Sequence, residues 1–175
     1  MIRHFLSVRL VVLCCAAVTA SGLFVSTAAA DSGQQMPALE WQTDFEVVRK
    51  IAQAEEKVIL LFFTGSDWCS PCKELKSRVF DSPEFAHFAK EKIVTQYVDF
   101  PQFTKLKKAT SEQNYTLATV YGVIANDMLQ VPAVLLVSAD GELLGRTGYM
   151  PYKAAGYIEH LQELSKGHLE VAALN

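Results

Sequence analysis

The stretch Phe62-Phe63-Thr64-Gly65-Ser66-Asp67-Trp68-Cys69-Ser70-Pro71-Cys72-Lys73 constrains this chain more than any other. Just before it, Val58 to Phe63 is short, uncharged and β-prone, which reads as a buried strand. A turn follows, and then two cysteines separated by two residues. From Cys72 onward the pattern becomes helical, with Leu75 and Val79 four apart and Lys73, Glu74, Lys76 and Arg78 between them. The helix is expected to run from about Ser70 to Phe80. The cysteine pair therefore falls where a strand ends and a helix begins. The first turn of a helix offers unbonded N–H groups and the positive end of the macrodipole, and both favour an anion. A thiolate on Cys69 would be stabilised there, with a pKa below the free value of ~8.5 and near 7 or lower. With a second thiol in reach, such a thiolate makes a redox couple. Cys69 attacks a substrate disulfide and Cys72 resolves the mixed disulfide.

Two blander readings of the pair remain open. A C-x-x-C can be half of a zinc site, but zinc takes about four ligands. No second C-x-x-C exists, and His87, His160 and His168 lack ligand-like spacing, so no metal or other cofactor is expected. A purely structural disulfide would close a very small loop and gain little entropy. The redox reading accounts for the coincidence of strand, turn, Trp, C-x-x-C and helix.

The N-terminus looks like a targeting segment. Arg3 and Arg9 form a positive n-region, Leu10 to Val18 an apolar h-region, and Ala28-Ala29-Ala30 a small-residue cleavage site before Asp31. An uncleaved anchor is the alternative, since residues 10–30 carry no charge and are just long enough to span. Thr19, Ser21, Gly22, Ser26 and Thr27 weaken its second half, so a signal peptide over 1–30 is expected, with export to the periplasm and no stable membrane insertion after cleavage. Cleavage removes Cys14 and Cys15 and leaves two cysteines, both in the motif. Exported proteins normally use cysteines as staples, whereas this one would keep only the pair suited to exchange. Without Arg3 and Arg9 the chain has 14 basic and 19 acidic residues, a balance of −5. A mildly acidic domain with no basic cluster argues against a nucleic-acid partner.

Residues 31–40 read as a flexible lead-in, 41–166 as one domain, and 167–175 as a C-terminal tail. Thr43 or Asp44 can cap a helix with Phe45, Val48, Ile51 and Ala52 on one face. Ser82 can cap a short helix starting at Pro83, with Phe85 and Phe88 inward. Lys92 to Asp99 reads as a strand. Thr104 to Asn114 is polar, and Lys105, Lys107 and Lys108 read as a solvated helix face. A helix through Leu117, Val120 and Tyr121 should end at Gly122. Val131 to Val137 reads as a proline opening a buried strand, Asp140-Gly141 as a hairpin tip, and Leu143 to Thr147 as its return strand. A last helix would use Ala154, Ala155, Ile158, Leu161 and Leu164. The order is helix, strand, helix, strand, helix, strand, strand, helix. It predicts an α/β fold with a mixed sheet ending in an antiparallel pair.

Trp68-Cys69-Ser70-Pro71-Cys72-Lys73 after an apolar strand resembles the thioredoxin active site, W-C-x-P-C-K. Tyr121-Gly122-Val123, Val131-Pro132, Asp140-Gly141-Glu142 and Gly148 follow in the order seen in that family. The resemblance covers roughly residues 41–165, and Gly65-Ser66-Asp67-Trp68-Cys69 is most similar to exported single-domain thioredoxin-like proteins of the Dsb type. It implies a thioredoxin-like fold, a central mixed sheet flanked by helices. It also implies that Cys69 is the exposed nucleophile, that Cys72 is the buried resolving thiol, and that Pro132 is a cis-proline facing the pair across a substrate groove. The Val131 backbone would then offer strand-like hydrogen bonds to an extended substrate. Trp68, Ser70 and Pro71 would border that groove, although partial core packing alone could explain Trp68. There are two departures. Thioredoxins usually carry a buried aspartate six positions before the first cysteine, and here that position is Phe63. The chain between Asp99 and Pro132 is also long, with nine residues separating Gly122 from Pro132, which reads as a surface loop.

Direction depends on whether dithiol or disulfide is relatively more stable. Pro71 between the cysteines resembles reducing members, and Asp67 would oppose thiolate stabilisation if its side chain pointed toward the sulfur. A thiol-disulfide reductase is expected, acting on exported proteins with disulfides or thiols and recharged by a membrane electron donor. An oxidase or isomerase on the same pair, or a non-catalytic peptide-binding module, are the alternatives.

Overall fold

A computed structural model describes residues 38–165 and 167–169. The expected signal peptide, its cleavage site and Cys14 and Cys15 lie outside those residues. Seven strands and five α-helices follow in order: β1 (Trp41–Gln42), α1 (Phe45–Glu55), β2 (Val58–Thr64), α2 (Ser70–Leu75), α3 (Pro83–Lys92), β3 (Ile93–Asp99), α4 (Lys108–Val120), β4 (Ile124–Ala125), β5 (Met128–Leu129), β6 (Ala133–Val137), β7 (Leu143–Gly148) and α5 (Ala154–Leu164). The central sheet has the order β1-β3-β2-β6-β7. β1, β3 and β2 run parallel, while β6 is antiparallel to both β2 and β7. This is the thioredoxin-like α/β architecture that the motif order implied.

Strand β2 is buried along its whole length because both faces of the sheet are covered. Val58, Leu60 and Phe62 pack with α2, α3 and α5, in a core that also contains Cys69 and Cys72. Ile59, Leu61 and Phe63 pack the opposite way, with α1 and α4. Fully burying each such side chain contributes ~1.5–3 kcal/mol. The first core is aromatic: Phe80 meets the edges of Phe62, Phe85 and Tyr157 with ring centroids 5.0, 4.9 and 5.8 Å away.

Local chemistry explains the helix ends. Asp44 caps α1, accepting the N–H of Glu46 and Val47. Ser82 caps α3 through the Phe85 N–H, with Pro83 in first position. The helix after the cysteine pair keeps its expected length but changes pitch. Residues Lys76–Phe80 form a π-turn, closed by the Asp81 N–H donating to the Lys76 carbonyl at 2.8 Å. The wider turn lets the consecutive residues Val79 and Phe80 both face the core.

Several expectations are corrected. Strand β1 was not foreseen; its two residues pair with Thr95 and Gln96. The segment after Gly122 is not a plain loop but the β4–β5 hairpin, turned by Asn126 and Asp127, both at positive φ as a two-residue turn of this kind requires. Helix α4 begins only at Lys108, so Lys105 and Lys107 precede it, exposed, rather than lying on its face. In α5 Ala154 and Leu161 are buried as expected, but Tyr157 joins them and Ala155 is exposed. Leu169 is fully buried in the first core, so packing continues past position 166, where the domain was expected to give way to a tail.

Candidate active site

Strand β2 delivers the chain to the C-terminal edge of the sheet, the usual place for a site in a fold of this class. Six residues after its end α2 begins, with Cys69 as its N-cap. Cys69 and Cys72 are joined by a disulfide, their Cα atoms 5.3 Å apart. Cys69 Sγ also accepts the backbone N–H of Cys72 at 3.3 Å. The sulfur thus occupies the place of a capping oxygen, where N–H groups and the helix dipole favour negative charge. Lys73 Nζ donates to the Asp67 carbonyl at 3.0 Å, setting a cation beside the motif.

Accessibility departs from expectation. Cys69 is only 4% exposed, against 1% for Cys72, so in the disulfide form the supposed nucleophile is nearly as covered as its partner. Both sulfurs belong to the first core, and Trp68, Val131 and Met150 pack against that cluster as half-buried neighbours. Ser70 and Pro71 are exposed between the two cysteines.

The turn before Cys69 is laced to the end of β3. Asp99 accepts the Ser66 N–H at 2.9 Å and the Ser66 hydroxyl at 2.6 Å. The buried Asn114 amide donates to the Asp99 carbonyl at 2.9 Å. Trp68 Nε1 donates to the Phe100 carbonyl at 2.8 Å, and its ring lies over Gly65, where any Cβ would collide with the indole. Trp68 is therefore both packed and half exposed.

Asp67 does not face the sulfur. Its carboxylate accepts the N–H groups of Gln102, Phe103 and Thr104 at 2.9, 2.8 and 3.0 Å. Partial desolvation raises its pKa, but these amide donors outweigh that and hold it below the ordinary 3.8. The carboxylate is thus engaged by backbone amides, which weakens the opposition to a thiolate that a carboxylate facing the sulfur would exert.

The other wall comes from β6 and β7. Phe63 pairs with Ala133, which sets Pro132 beside the last residue of β2. The Val131–Pro132 peptide bond is cis. Gly148 pairs with Ala133 from the other side. The residue after it, Tyr149, donates its hydroxyl to Glu74 on α2 at 2.8 Å, and Arg78 binds the same carboxylate oxygen at 2.8 Å. Hydrogen bonds from Arg78 and then Tyr149 lower the Glu74 pKa. Phe63, at the position where thioredoxins usually carry an aspartate, is fully buried in the second core. Asp99 and Tyr149 were not foreseen as parts of the site. An Asp ending a strand before Phe-Pro, and an aromatic directly after the return strand, were the only signals available.

Similarity to known proteins agrees with this geometry. A family model described as a thioredoxin-like domain matches residues 45–162. The chain is 32% identical over 128 residues to the disulfide bond reductase DsbH of Chlamydia pneumoniae, covering 73% of this chain and 74% of that protein. It is 24% identical to the thioredoxin-related protein DsbJ of the same organism, spanning 72% of this chain but only 35% of DsbJ. A solved structure of a DsbH oxidoreductase superimposes with TM-score 0.68 at 30% identity, covering 76% of this chain and 90% of that one. A thioredoxin from Thermus thermophilus, at 19% identity and TM-score 0.54 over 74% of this chain and 90% of its own, shares the fold. The chain therefore belongs to the thioredoxin-like domain family and is a DsbH-like disulfide oxidoreductase whose Cys-x-x-Cys pair is Cys69 and Cys72.

Proposed function

We propose that the chain is an exported, periplasmic thiol-disulfide reductase that passes two electrons from the Cys69/Cys72 dithiol to disulfides of exported proteins. The observation that carries this reading is the placement of Cys69 Sγ as the N-cap of α2, accepting the Cys72 N–H, with the Asp67 carboxylate engaged elsewhere. The similarity to a protein named a disulfide bond reductase supports the direction.

In the dithiol form, the Cys69 thiolate attacks one sulfur of the substrate disulfide. A Cys69–substrate S–S bond forms, the substrate S–S bond breaks, and the released sulfur leaves as a thiolate that takes up a proton. Cys72, having lost its proton to solvent, then attacks Cys69 Sγ. The Cys69–Cys72 bond forms, the Cys69–substrate bond breaks, and the second substrate sulfur leaves as a thiolate that takes up a proton from solvent. Two electrons have then reached the substrate, and the chain is left as the disulfide. A dithiol donor, which we place in the membrane, returns it to the reduced form. Pro132, the Val131 backbone, Trp68, Ser70 and Pro71 border the groove in which an extended substrate would lie.

Equilibration with glutathione buffers tests the direction. A potential near ~ −270 mV is expected, and a value above ~ −150 mV overturns the reductase reading. Insulin reduction tests the chemistry: Cys69→Ser should abolish it, and equal rates for variant and wild type would leave a binding module instead. Cys72→Ser should hold physiological partners as mixed disulfides on Cys69.

A further inference from the structure

Phe103 is 80% exposed, the most exposed large apolar side chain among the described residues. A single surface apolar residue needs no explanation in itself. What distinguishes Phe103 is how firmly it is presented. Its own N–H and those of both neighbours converge on the one Asp67 carboxylate, which fixes the backbone of the 102–104 turn. Asp67 stands two residues before Cys69. Trp68, between them, is tied to the same segment through the Phe100 carbonyl. The redox motif and the 100–104 turn thus form one hydrogen-bonded unit, and that unit projects a phenyl ring into solvent.

The surroundings suit a polypeptide. Phe100 is shared by two shallow depressions. One, of about 230 Å³, is lined by Tyr115, Ile124 and Leu129. The other, of about 340 Å³, is lined by Pro101, Thr104, Lys105 and Leu106. Lys107 and Lys108 are exposed close by in sequence.

We propose that Phe103 is a docking residue for the substrate polypeptide, binding an apolar side chain in the extended stretch that flanks the cysteine under attack. This rests on the reductase function proposed above and names the substrate feature that the site selects. The occupant follows from continuity: Phe103 is fixed through Asp67 to the turn that carries Cys69, the turn to which a polypeptide must bring its disulfide. Docking beside the sulfur raises the local concentration of the disulfide and leaves the exchange chemistry unchanged.

The test compares two disulfides in the full chain. Insulin carries flanking polypeptide, whereas 5,5′-dithiobis(2-nitrobenzoate) carries none. Phe103→Ala should raise KM for insulin roughly 10-fold, the worth of one apolar anchor. Its kcat for insulin, its rate with the small disulfide and its redox potential should not change, and Phe103→Leu should recover most of the loss. An unchanged insulin KM overturns the proposal, as does an equal loss on both disulfides. A Phe103→Ala variant that turns a dimer into a monomer with insulin kinetics unaffected also overturns it, because the ring would then serve a second copy of the chain. Failure of the wild type to reduce either disulfide removes the reductase reading itself, and this inference with it.

Discussion

Gly148 lies directly behind the Pro132 carbonyl: a Cβ at position 148 would stand 2.8 Å from that oxygen. The Tyr157 hydroxyl holds Gly148 from the other side, donating to its carbonyl at 2.9 Å. Neither neighbour can give way easily. Pro132 opens the central strand β6, and Tyr157 is fully buried, with burial pushing its pKa upward. Gly148→Ala should therefore destabilise the fold by about 1–3 kcal/mol, the usual cost of overpacking. It should also slow insulin reduction, because the displaced backbone belongs to the Val131–Pro132 wall of the site. Thermal denaturation and the insulin assay check the two effects. A variant with wild-type stability would show that β7 yields freely.

Asp67 gives a pH-dependent outcome whose sign follows from its pKa. Its folded-state value is depressed, so ionisation contributes stability that is present above the unfolded value near 3.8 and is lost as pH falls through the folded value. Asp67→Asn keeps one acceptor but loses the charge facing three amide donors. The variant should melt below wild type at neutral pH. That difference should shrink as pH falls below 3.8 and the wild-type carboxyl becomes protonated. Melting curves across this range measure it, and a difference independent of pH would mean that the carboxylate charge plays no part.

What the amino-acid sequence made legible was local. The apolar run Val58 to Phe63, the cysteine spacing, Ser82-Pro83 and the Asp140-Gly141 tip each carry their signal within a few residues, and each element formed where expected. What escaped was set by partners distant in the chain. Strand β1 has two residues and exists because Thr95 and Gln96 pair with it and Trp41 joins the aromatic core. The orientation of Asp67 depends on amides 35 to 37 positions away. Tyr157 joins Ala154 and Leu161 on the buried face of α5, where its ring meets Phe80, a partner distant in the chain. The cysteine pair and the burial of Cys72 are legible in the motif, but the concealment of Cys69 is not, because Trp68, Val131 and Met150 come together only in the fold.

Leu169 carries a prediction about the end of the described chain. It is fully buried in the same core as the cysteines, and its N–H donates to the Ser165 hydroxyl at 3.2 Å. Leu169→Ala should cost ~2–5 kcal/mol, as for other buried leucines. Urea denaturation should show a lower midpoint with an unchanged slope. A loss below ~1 kcal/mol would mean that this turn contributes little to the core.

The ionisation of Cys69 is the most direct probe of the site. In the dithiol form its sulfur would keep the N-cap place, with the Cys72 N–H aimed at it. Lys73 Nζ lies on the neighbouring Asp67 carbonyl, and the Asp67 carboxylate is turned to the 102–104 amides. The cap N–H and the lysine favour the thiolate, and a carboxylate turned to other donors opposes it less than one facing the sulfur would. Cys72, 1% exposed in the aromatic core, has its charged form disfavoured by desolvation. The ultraviolet absorbance of thiolate should therefore rise in two steps, Cys69 below the ordinary thiol range and Cys72 above it. The reduced chain should gain stability above the folded pKa of Cys69 and lose it as pH falls through that value, because a depressed folded-state pKa stabilises the ionised form. Insulin reduction should decline over the same interval as the nucleophile becomes protonated. Cys72→Ser isolates the first step, and a lone Cys69 that ionises no more readily than free cysteine would remove the electrostatic basis of the proposed chemistry.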